Sequence, residues 1–258
     1  MNGAAIEFRD VTVDAAPSRK HSGEGVAILN SISLRLEAGT TTALLGRSGS
    51  GKTTLLRTIN GLVSPTSGTV LIDGEVVGAG DLLALRRRIG YVIQETGLYP
   101  HLTIERNVAM PLELAGTPLT ERQLRVRELL AMTGLDPAKF AERMPWQVSG
   151  GQRQRAGVAR ALAADPSILL LDEPFGALDP LTRAEMQTML RDLLTKLQET
   201  AVIVTHDLQE AVFLADRILL LDKGSIVADL PSREVLHSQI PAVKEYVAAV
   251  QRFTEAES

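Results

Sequence analysis

Residues 41–60 read TTALLGRSGSGKTTLLRTIN, and this stretch decides the fold. The run Thr41–Leu45 predicts a buried strand, and the segment from Lys52 to about Asn60 predicts a helix. Between them, Gly46–Thr53 matches the pattern G-x-x-x-x-G-K-[ST], in which glycines let successive backbone N–H groups point at phosphate oxygens. The N-terminus of the helix adds positive potential at the same place. This order of strand, loop and helix predicts a site for the phosphates of a nucleotide.

Individual residues of this loop have separate predicted roles. Lys52 is expected to reach the β- and γ-phosphates, and the hydroxyl of Thr53 is expected to bind magnesium. A glycine-rich turn that merely starts a helix is the alternative, but the strand before it and the helix after it favour phosphate binding. The predicted nucleotide-binding residues are Gly46, Arg47, Ser48, Gly49, Ser50, Gly51, Lys52, Thr53 and Thr54.

A second apolar strand ends in two carboxylates. Residues 168–171 read ILLL, and Asp172 and Glu173 follow them. We expect Asp172 to bind magnesium, directly or through water, and Glu173, on the other side of the pleat, to polarise an attacking water. The alternative is a strand that simply ends in acidic residues at the surface, and the phosphate-binding loop makes that alternative the weaker one.

The composition narrows the class of protein. Of 258 residues, 45% are apolar, which is enough for a sizeable core. Lys and Arg number 27 against 31 Asp and Glu, and the resulting net charge of −4 argues against a dedicated duplex-DNA binder. The absence of cysteine excludes disulfides, thiolate metal sites and cysteine nucleophiles. No apolar stretch approaches the roughly 18 to 20 residues that cross a bilayer, so we expect contact with a membrane only through partners.

Short apolar runs alternate with helices along the chain, which predicts an α/β core of the P-loop type with a mainly parallel sheet. Strand patterns and a hairpin turn at Asp73-Gly74 predict an antiparallel β portion near the N-terminus. Helical periodicity in the middle predicts an insertion, with Thr103 and Thr120 as N-caps of its first helices and Gly134 as a stop. We place the core at 1–95 and 165–230, the insertion at 96–164 and a helical tail at 231–258.

Three further features are each weak by themselves. Gln94 closes the predicted strand 89–93, and His206 follows the predicted strand 201–205, but such residues are often merely solvated or structural. The segment Ser149-Gly150-Gly151-Gln152 opens a helix with an anion-receptive N-terminus, although Ser149 could be only an N-cap.

Together and in this order, the motifs resemble those of the ATP-binding subunit of an ABC transporter. The resemblance extends from about Ile6 to Leu230. Besides the phosphate-binding loop it includes Gln94, Val148 to Arg155 (VSGGQRQR), Asp172-Glu173-Pro174, Gly176-Ala177-Leu178-Asp179 and His206.

This resemblance implies a head-to-tail dimer, most simply a homodimer, with two ATP molecules between the subunits and Mg²⁺ as cofactor. The phosphates are then held by Lys52 of one chain and by the signature residues of the other, which are Ser149, Gly150, Gly151 and Gln152. The resemblance further implies that Glu173 is the general base and His206 the γ-phosphate sensor. The remaining implied roles are metal binding by Thr53, Gln94 and Asp172, coupling of the metal site to the insertion by Gln94, and communication across the dimer by Asp179.

One departure from the family concerns the adenine base. The family usually places an aromatic residue before the second strand, but residues 13–28 contain no Phe, Tyr or Trp. His21 is the only ring there, and aliphatic contact such as that of Val26 is the alternative to stacking on His21.

The resemblance also implies transmembrane permease subunits, because the chain itself has no predicted span. Leu98, Tyr99 and Leu102 form an apolar cluster that could dock a coupling helix of the permease, with ordinary packing of the insertion as the alternative. We expect a peripheral subunit at the cytoplasmic face of the inner membrane, with a solute-binding protein and no nucleic acid among its partners. Only 28 residues follow Leu230, so we expect no C-terminal nucleotide-sensing domain.

The amino-acid sequence of residues 86–101 is most similar to that of importers of glycine betaine, choline and related osmoprotectants. A lipid or other-solute ABC system remains an alternative. ATPases of the same type that act on DNA carry long coiled-coil arms, whereas here Ser149 follows Lys52 by only 97 positions, with no heptads in that stretch. Relatives that act on ribosomes usually carry two such domains in one chain, and this chain has one.

Overall fold

The computed structural model describes residues 3–15, 27–94, 96–176 and 178–256, with the backbone alone for 251–256. The chain forms two compact units. We call Ala4–Leu82 with Val202–Ser258 the terminal unit, and Met1–Gly3 with Leu83–Ala201 the middle unit.

Strands and helices alternate through most of the chain. The strands are β1 (Ile6–Asp14), β2 (Ala27–Leu36), β3 (Thr41–Leu45), β4 (Ser67–Ile72), β5 (Glu75–Val76), β6 (Ile89–Val92), β7 (Ile168–Asp172), β8 (Thr200–Thr205), β9 (Arg217–Asp222) and β10 (Ser225–Pro231). The helices are α1 (Lys52–Ile59), α2 (Leu82–Arg87), α3 (Ile104–Leu114), α4 (Leu119–Met132), α5 (Pro137–Phe140), α6 (Gly150–Ala161), α7 (Pro180–Leu197), α8 (Leu208–Leu214) and α9 (Pro241–Ala256). Two short 3₁₀ turns span Pro145–Gln147 and Ser232–His237.

The terminal unit contains the predicted antiparallel portion, a sheet of order β2-β1-β4-β5. β1 pairs antiparallel with both β2 and β4, and its side chains Ile6, Phe8, Val11 and Val13 are buried. The alternation shifts between Phe8 and Val11, where Asp10 adopts a positive φ of 49°. Such a bulge keeps the apolar side chains on one face despite the extra residue.

In the same unit, β3 lies between β9 and β8, and β10 covers the far side of β9. β3 and β9 are parallel, whereas β10 runs antiparallel to β9. All residues of β3 and β8 are buried, which explains why both strands combine threonine with consecutive apolar residues and show no polar–apolar alternation. In the middle unit, β6 and β7 form a parallel pair. The prediction of an α/β fold with parallel strands and an antiparallel portion is therefore confirmed.

Helices α3, α4 and α6 build the core of the middle unit. The hydroxyl of Thr103 accepts the N–H of Arg106 at 3.2 Å and caps α3, as predicted. The second predicted cap is wrong, since α4 begins at Leu119 and Thr120 lies inside it. Pro118 occupies the cap instead, and its carbonyl accepts the N–H of Arg122, so the first turn starts before the threonine.

The C-terminal part contains two separate helical segments. Strand β10, which the sequence analysis did not predict, extends to Pro231, a 3₁₀ turn follows, and α9 begins only at Pro241. α9 buries Val243 and Val247 against the terminal unit. The predicted domain boundaries remain predictions. Among the described residues, no helix is both long and apolar enough to cross a bilayer.

Candidate functional site

The loop between β3 and α1 approaches neighbouring backbone too closely for side chains at two glycines. A Cβ at Gly46 would lie 2.3 Å from the Leu221 carbonyl oxygen, and one at Gly51 would lie 2.9 Å from the Ile28 carbonyl oxygen. Their φ angles are 155° and 101°. Glycine at both positions is therefore required by contact as well as by conformation.

Lys52, only 5% exposed, folds back over this loop. Its Nζ donates to the carbonyl oxygens of Gly46 at 2.8 Å and Arg47 at 2.9 Å. The ammonium group of Lys52 thus lies inside the loop, where it would contact an anion bound there. Arg47, Ser48 and Gly49 form the exposed rim of the loop.

Ser50 supplies an independent sign of a polar ligand. It is 4% exposed, and its Oγ has no hydrogen-bond partner among the described residues. Its backbone is fully used, since its N–H donates to Arg47 and its carbonyl accepts the N–H of Gly224. A buried hydroxyl without a partner is costly, and a phosphate oxygen is an acceptor that would satisfy it. The two threonines, Thr53 and Thr54, lie half-buried in the first turn of α1.

His206 also belongs to the terminal unit and follows β8, the strand beside β3. His206 is exposed, and its backbone carbonyl accepts a hydrogen bond from the hydroxyl of Tyr246 at 2.7 Å. Asp207 caps α8 through its Oδ1, which accepts the N–H groups of Gln209 and Glu210. The histidine is therefore held between a buried strand and a capped helix.

In the middle unit, the parallel pairing of β6 and β7 brings Gln94 and Glu173 together. Gln94 Nε2 donates to Glu173 Oε2 at 3.3 Å. Asp172 is 5% exposed, and its Oδ2 accepts the hydroxyl of Tyr91 at 3.2 Å. Tyr91 was not predicted as a site residue, although its position on β6 beside β7 would have indicated it.

The backbone of Glu173 departs from the predicted strand geometry. Its φ is 46°, in the left-handed region that residues other than glycine rarely adopt, and β7 ends one residue before it. The direction of its carboxylate is therefore set by this turn, and the expected alternation along the pleat does not apply. Strained backbone of this kind is concentrated at functional sites.

The signature residues form the start of α6. Ser149 Oγ accepts the N–H of Gln152 at 3.2 Å, and Gln152 Oε1 accepts the N–H of Ser149 at 2.9 Å. This reciprocal capping box fixes the first turn. A Cβ at Gly151 would lie 2.4 Å from Thr182 Cγ2, whereas one at Gly150 would meet nothing closer than 3.9 Å. The open side of the helix start is therefore at Gly150.

Asp179 caps α7 by accepting the N–H of Thr182 at 3.1 Å. Hydrogen bonding from Thr182 lowers the pKa of Asp179, so its carboxylate stays ionised at neutral pH. The predicted role of Asp179 in a dimer is not visible within one chain, and the residue acts here as a helix cap.

Asn107 of α3 is hydrogen-bonded to the segment that carries Leu98, Tyr99 and Leu102. Asn107 is completely buried, its Oδ1 accepts the N–H of Tyr99 at 2.7 Å, and its Nδ2 donates to the carbonyls of Tyr99, Leu102 and Thr103 at 3.1, 3.0 and 2.9 Å. Arg160 of α6 also donates to the carbonyls of Thr96 and Gly97. Asn107 could have been noticed in the sequence, because it is a polar residue on the same face of α3 as the apolar Ile104 and Val108.

Next to this segment lies an open groove of about 410 Å³ within the middle unit. Its lining combines aromatic, aliphatic and basic side chains, among them Leu83, Arg87, Tyr91, Tyr99, Met110 and Leu114. Tyr99 is 44% exposed at its edge. Leu98 and Leu102 are half-buried.

The predicted site residues thus fall into two sets. The phosphate-binding loop and His206 belong to the terminal unit, whereas Gln94, Asp172, Glu173, the signature residues and Asp179 belong to the middle unit. His21 and Val26, the two candidates for adenine contact, lie outside the described residues.

Comparison with known proteins places these features in one family. The family described as ABC transporter matches residues 29–176. The choline transport ATP-binding protein OpuBA of Bacillus subtilis (strain 168) is 42% identical over 93% of this chain and 63% of its own length. The osmoprotectant import ATP-binding protein OsmV of Salmonella typhimurium (strain LT2) is 45% identical over 83% of this chain and 56% of its own. The chain therefore spans about three-fifths of the length of these curated relatives.

Solved structures agree with the sequence comparison. A dimeric ATP-binding cassette in a post-hydrolysis state, bound to ADP and Pi, has a TM-score of 0.79 and 36% identity, and the match covers 88% of this chain and 99% of that one. The prediction drawn from the motifs is confirmed at the level of the family and the fold: this chain belongs to the ABC transporter family.

Proposed function

We propose that this chain is the ATP-binding and ATP-hydrolysing subunit of an ABC importer, and that it powers transport through separate permease subunits. One observation carries the proposal of hydrolysis. Glu173, held in a strained turn at the end of a buried strand, is hydrogen-bonded to Gln94 and directly follows the buried Asp172. A carboxylate fixed in this way beside a second carboxylate fits the general base of phosphoryl transfer to water.

The chain's own residues divide the work of hydrolysis. Lys52, inside the phosphate-binding loop, neutralises charge on the transferred phosphoryl, and the loop's N–H groups hold the remaining oxygens. Glu173 takes the proton from the attacking water, and Gln94 keeps the Glu173 carboxylate oriented for that transfer. His206 contacts the γ-phosphate and aligns the water for in-line attack.

Magnesium, when bound, would neutralise charge on the β- and γ-phosphates. The proposed ligands Thr53, Gln94 and Asp172 offer a hydroxyl, an amide and one carboxylate. This donor set fits a cation that takes hard oxygen ligands, often one or two carboxylates together with substrate phosphates. The described residues contain no cluster of three His, Cys, Asp or Glu, as a dedicated protein cage would require.

We propose a head-to-tail homodimer as the active form. In it, the γ-phosphate bound to Lys52 is also contacted by the partner subunit's Ser149, the partner subunit's Gly150, the partner subunit's Gly151 and the partner subunit's Gln152. The open side of the α6 start at Gly150 and the dimeric solved relative support this arrangement. Asp179, at the start of α7, is proposed to communicate across the interface.

We further propose that the permease docks on Leu98, Tyr99 and Leu102. The groove beside them and the half-buried or exposed state of the three side chains support a helix-sized apolar partner. Relatives named for choline transport and for osmoprotectant import favour a quaternary-amine solute, which we propose is delivered by a binding protein. The proposed location of the subunit is the cytoplasmic face of the inner membrane.

Exchange of Glu173 for Gln tests the proposed function. The amide keeps the size of the side chain but cannot accept the water's proton, so we expect ATP binding without turnover. With ATP and Mg²⁺, the variant should elute as a dimer in gel filtration, whereas Lys52→Ala should fail to bind ATP and remain monomeric. Hydrolysis by Glu173→Gln at the rate of the unmodified chain would contradict the assignment of the base.

A further inference from the structure

Tyr246 of α9 contacts the backbone of His206 from a distant part of the chain. Its hydroxyl donates to the His206 carbonyl oxygen at 2.7 Å, across 40 residues of sequence. None of the motifs in the sequence includes Tyr246. Both residues belong to the terminal unit, so the contact lies within one compact body.

The helix that carries Tyr246 is firmly seated. Val243 and Val247, on either side of Tyr246, are buried in one cluster with Leu45 of β3 and Leu208 of α8. Leu45 is the last residue before the phosphate-binding loop, and Leu208 is the first residue of the helix that follows His206. α9 therefore packs on both elements that lead to the proposed site in this unit.

The peptide group between His206 and Asp207 is bonded at both of its ends. Its carbonyl accepts the hydroxyl of Tyr246, and its N–H donates to Thr205 Oγ1 at 3.0 Å. Fixing this peptide plane fixes the backbone orientation of His206, and with it the direction in which the imidazole leaves the chain. The Tyr246 hydroxyl is the one contact of the pair that comes from outside the local turn.

Two further observations fit a lasting contact. Burial raises the pKa of Tyr246 to about 12, with the Asp207 carboxylate adding to the effect, so the phenol remains a hydrogen-bond donor at neutral pH. The preceding residue, Glu245, pairs with Arg47 of the phosphate-binding loop at 2.9 Å. Both of those side chains are well exposed, so this ion pair contributes little to stability.

We propose that Tyr246 is a positioning residue for ATP hydrolysis, acting by holding the His206–Asp207 peptide so that His206 points at the γ-phosphate. This inference rests on the proposed function, in which His206 contacts that phosphate. It assigns to α9 a task in the reaction besides its packing on β3 and α8.

The exchange Tyr246→Phe isolates the hydroxyl. The ring and its packing remain, and only the bond to the His206 carbonyl is lost. We expect kcat for ATP hydrolysis to fall about three- to tenfold, the range that the loss of one hydrogen bond supplies, with an unchanged KM for ATP. Lys244→Gln, on an exposed position of the same helix, is the matched control and should leave kcat unchanged. An unchanged kcat in Tyr246→Phe overturns the proposal.

A double-variant cycle separates positioning from general support of the fold. If Tyr246 acts through His206, Tyr246→Phe has no further effect on kcat in a His206→Gln background. The same fold-reduction in both backgrounds would show a structural role and would overturn the proposal.

Selective labelling gives a readout that needs no activity. His206-Asp207 is the only His-Asp pair in the sequence, so ¹³C-carbonyl histidine with ¹⁵N-aspartate yields one NMR correlation for this peptide. We expect that correlation to move in Tyr246→Phe and to stay in Lys244→Gln. A correlation that is identical in all three proteins would exclude the contact. Failure of the unmodified chain to hydrolyse ATP would contradict the proposed function and leave this spectroscopic result standing.

Discussion

The two units hold their candidate site residues in place by different means. In the terminal unit, the phosphate-binding loop is shaped by backbone, with Gly46 and Gly51 pressed against neighbouring carbonyls and Lys52 folded onto two loop carbonyls. In the middle unit, side chains do this work. Asn107 and Arg160 hold the segment from Thr96 to Thr103, and Gln94 holds Glu173.

This difference determines what a substitution does in each unit. A loop shaped by close backbone contacts tolerates changes only where space remains, because the clash is with atoms that cannot rotate away. A segment held by side-chain hydrogen bonds depends on a few buried polar groups, each of which is costly to leave without its partner. Substitutions in the phosphate-binding loop of the terminal unit should therefore act through steric contact, and substitutions of Asn107 and Arg160 in the middle unit through lost hydrogen bonds.

Gly46→Ala should have the largest effect. The added Cβ would lie 2.3 Å from the Leu221 carbonyl oxygen and 2.8 Å from Ser50 Oγ, so the loop must move. We expect a loss of about 2–4 kcal/mol in the free energy of unfolding and no detectable ATP binding. Urea unfolding and titration calorimetry measure the two quantities.

Gly49→Ala is the matched control in the same loop. A Cβ there meets nothing within 4 Å, although the φ of 77° is in the left-handed region. Only the conformational cost of about 1–2 kcal/mol should appear, and ATP should still bind. Equal losses from the two alanine variants would show that steric contact does not shape this loop, and the contrast between the units would fail.

Asn107→Ala applies the same question to the middle unit. It removes four hydrogen bonds and leaves partly buried carbonyls of the 99–103 segment without their donor, so we expect a loss of about 2–3 kcal/mol in unfolding free energy. ATP binding should persist, whereas stimulation of hydrolysis by reconstituted permease should be lost. Urea unfolding and ATPase assays with and without the permease measure these effects.

Thr103→Ala serves as the control for Asn107→Ala, because it removes only the cap of α3. It should cost about 1 kcal/mol and keep the permease response. If Asn107→Ala keeps the response as well, the hydrogen bonds of Asn107 do not shape a docking segment.

The same contrast explains how far sequence alone could lead. The backbone shape of the loop from Gly46 to Thr53 could be anticipated from the sequence, since a motif of glycines and lysine encodes such a shape directly, whereas its binding of phosphate stays a prediction. The strained turn at Glu173 and the hydrogen-bond partners of Asn107, Tyr91 and Tyr246 could not be anticipated, because they depend on the tertiary packing, although Asn107 and Tyr91 themselves left a signal in the sequence. The Thr120 cap failed for a local reason, since Pro118 two residues earlier already provided an extended entry into the helix.

Apart from the control variants, the smallest expected effect concerns Glu199, a buried carboxylate of the middle unit whose Oε2 has no partner among the described residues. The pKa of Glu199 is raised to about 7, mainly by burial and in part by the Asp165 carboxylate, with the Arg125 guanidinium opposing both. The unfolded chain releases the proton of the Glu199 carboxyl near the ordinary pKa of 4.5. The folded chain keeps that proton up to a higher pH. The stabilisation from that proton is therefore complete below pH 4.5 and is lost as the pH rises through 7.

Glu199→Gln should remove this pH dependence, because the amide does not titrate. Between pH 5 and pH 8, the unfolding free energy of the variant should fall by about 1–2 kcal/mol less than that of the unmodified chain in urea titrations. Glu142→Gln, at an exposed glutamate of the same unit, should leave the original pH profile in place. Identical profiles for all three proteins would mean that water or rearrangement relieves the buried carboxylate. The carboxylate would then have a hydrogen-bond partner in the folded chain, and the raised pKa of Glu199 would not govern the pH dependence of stability.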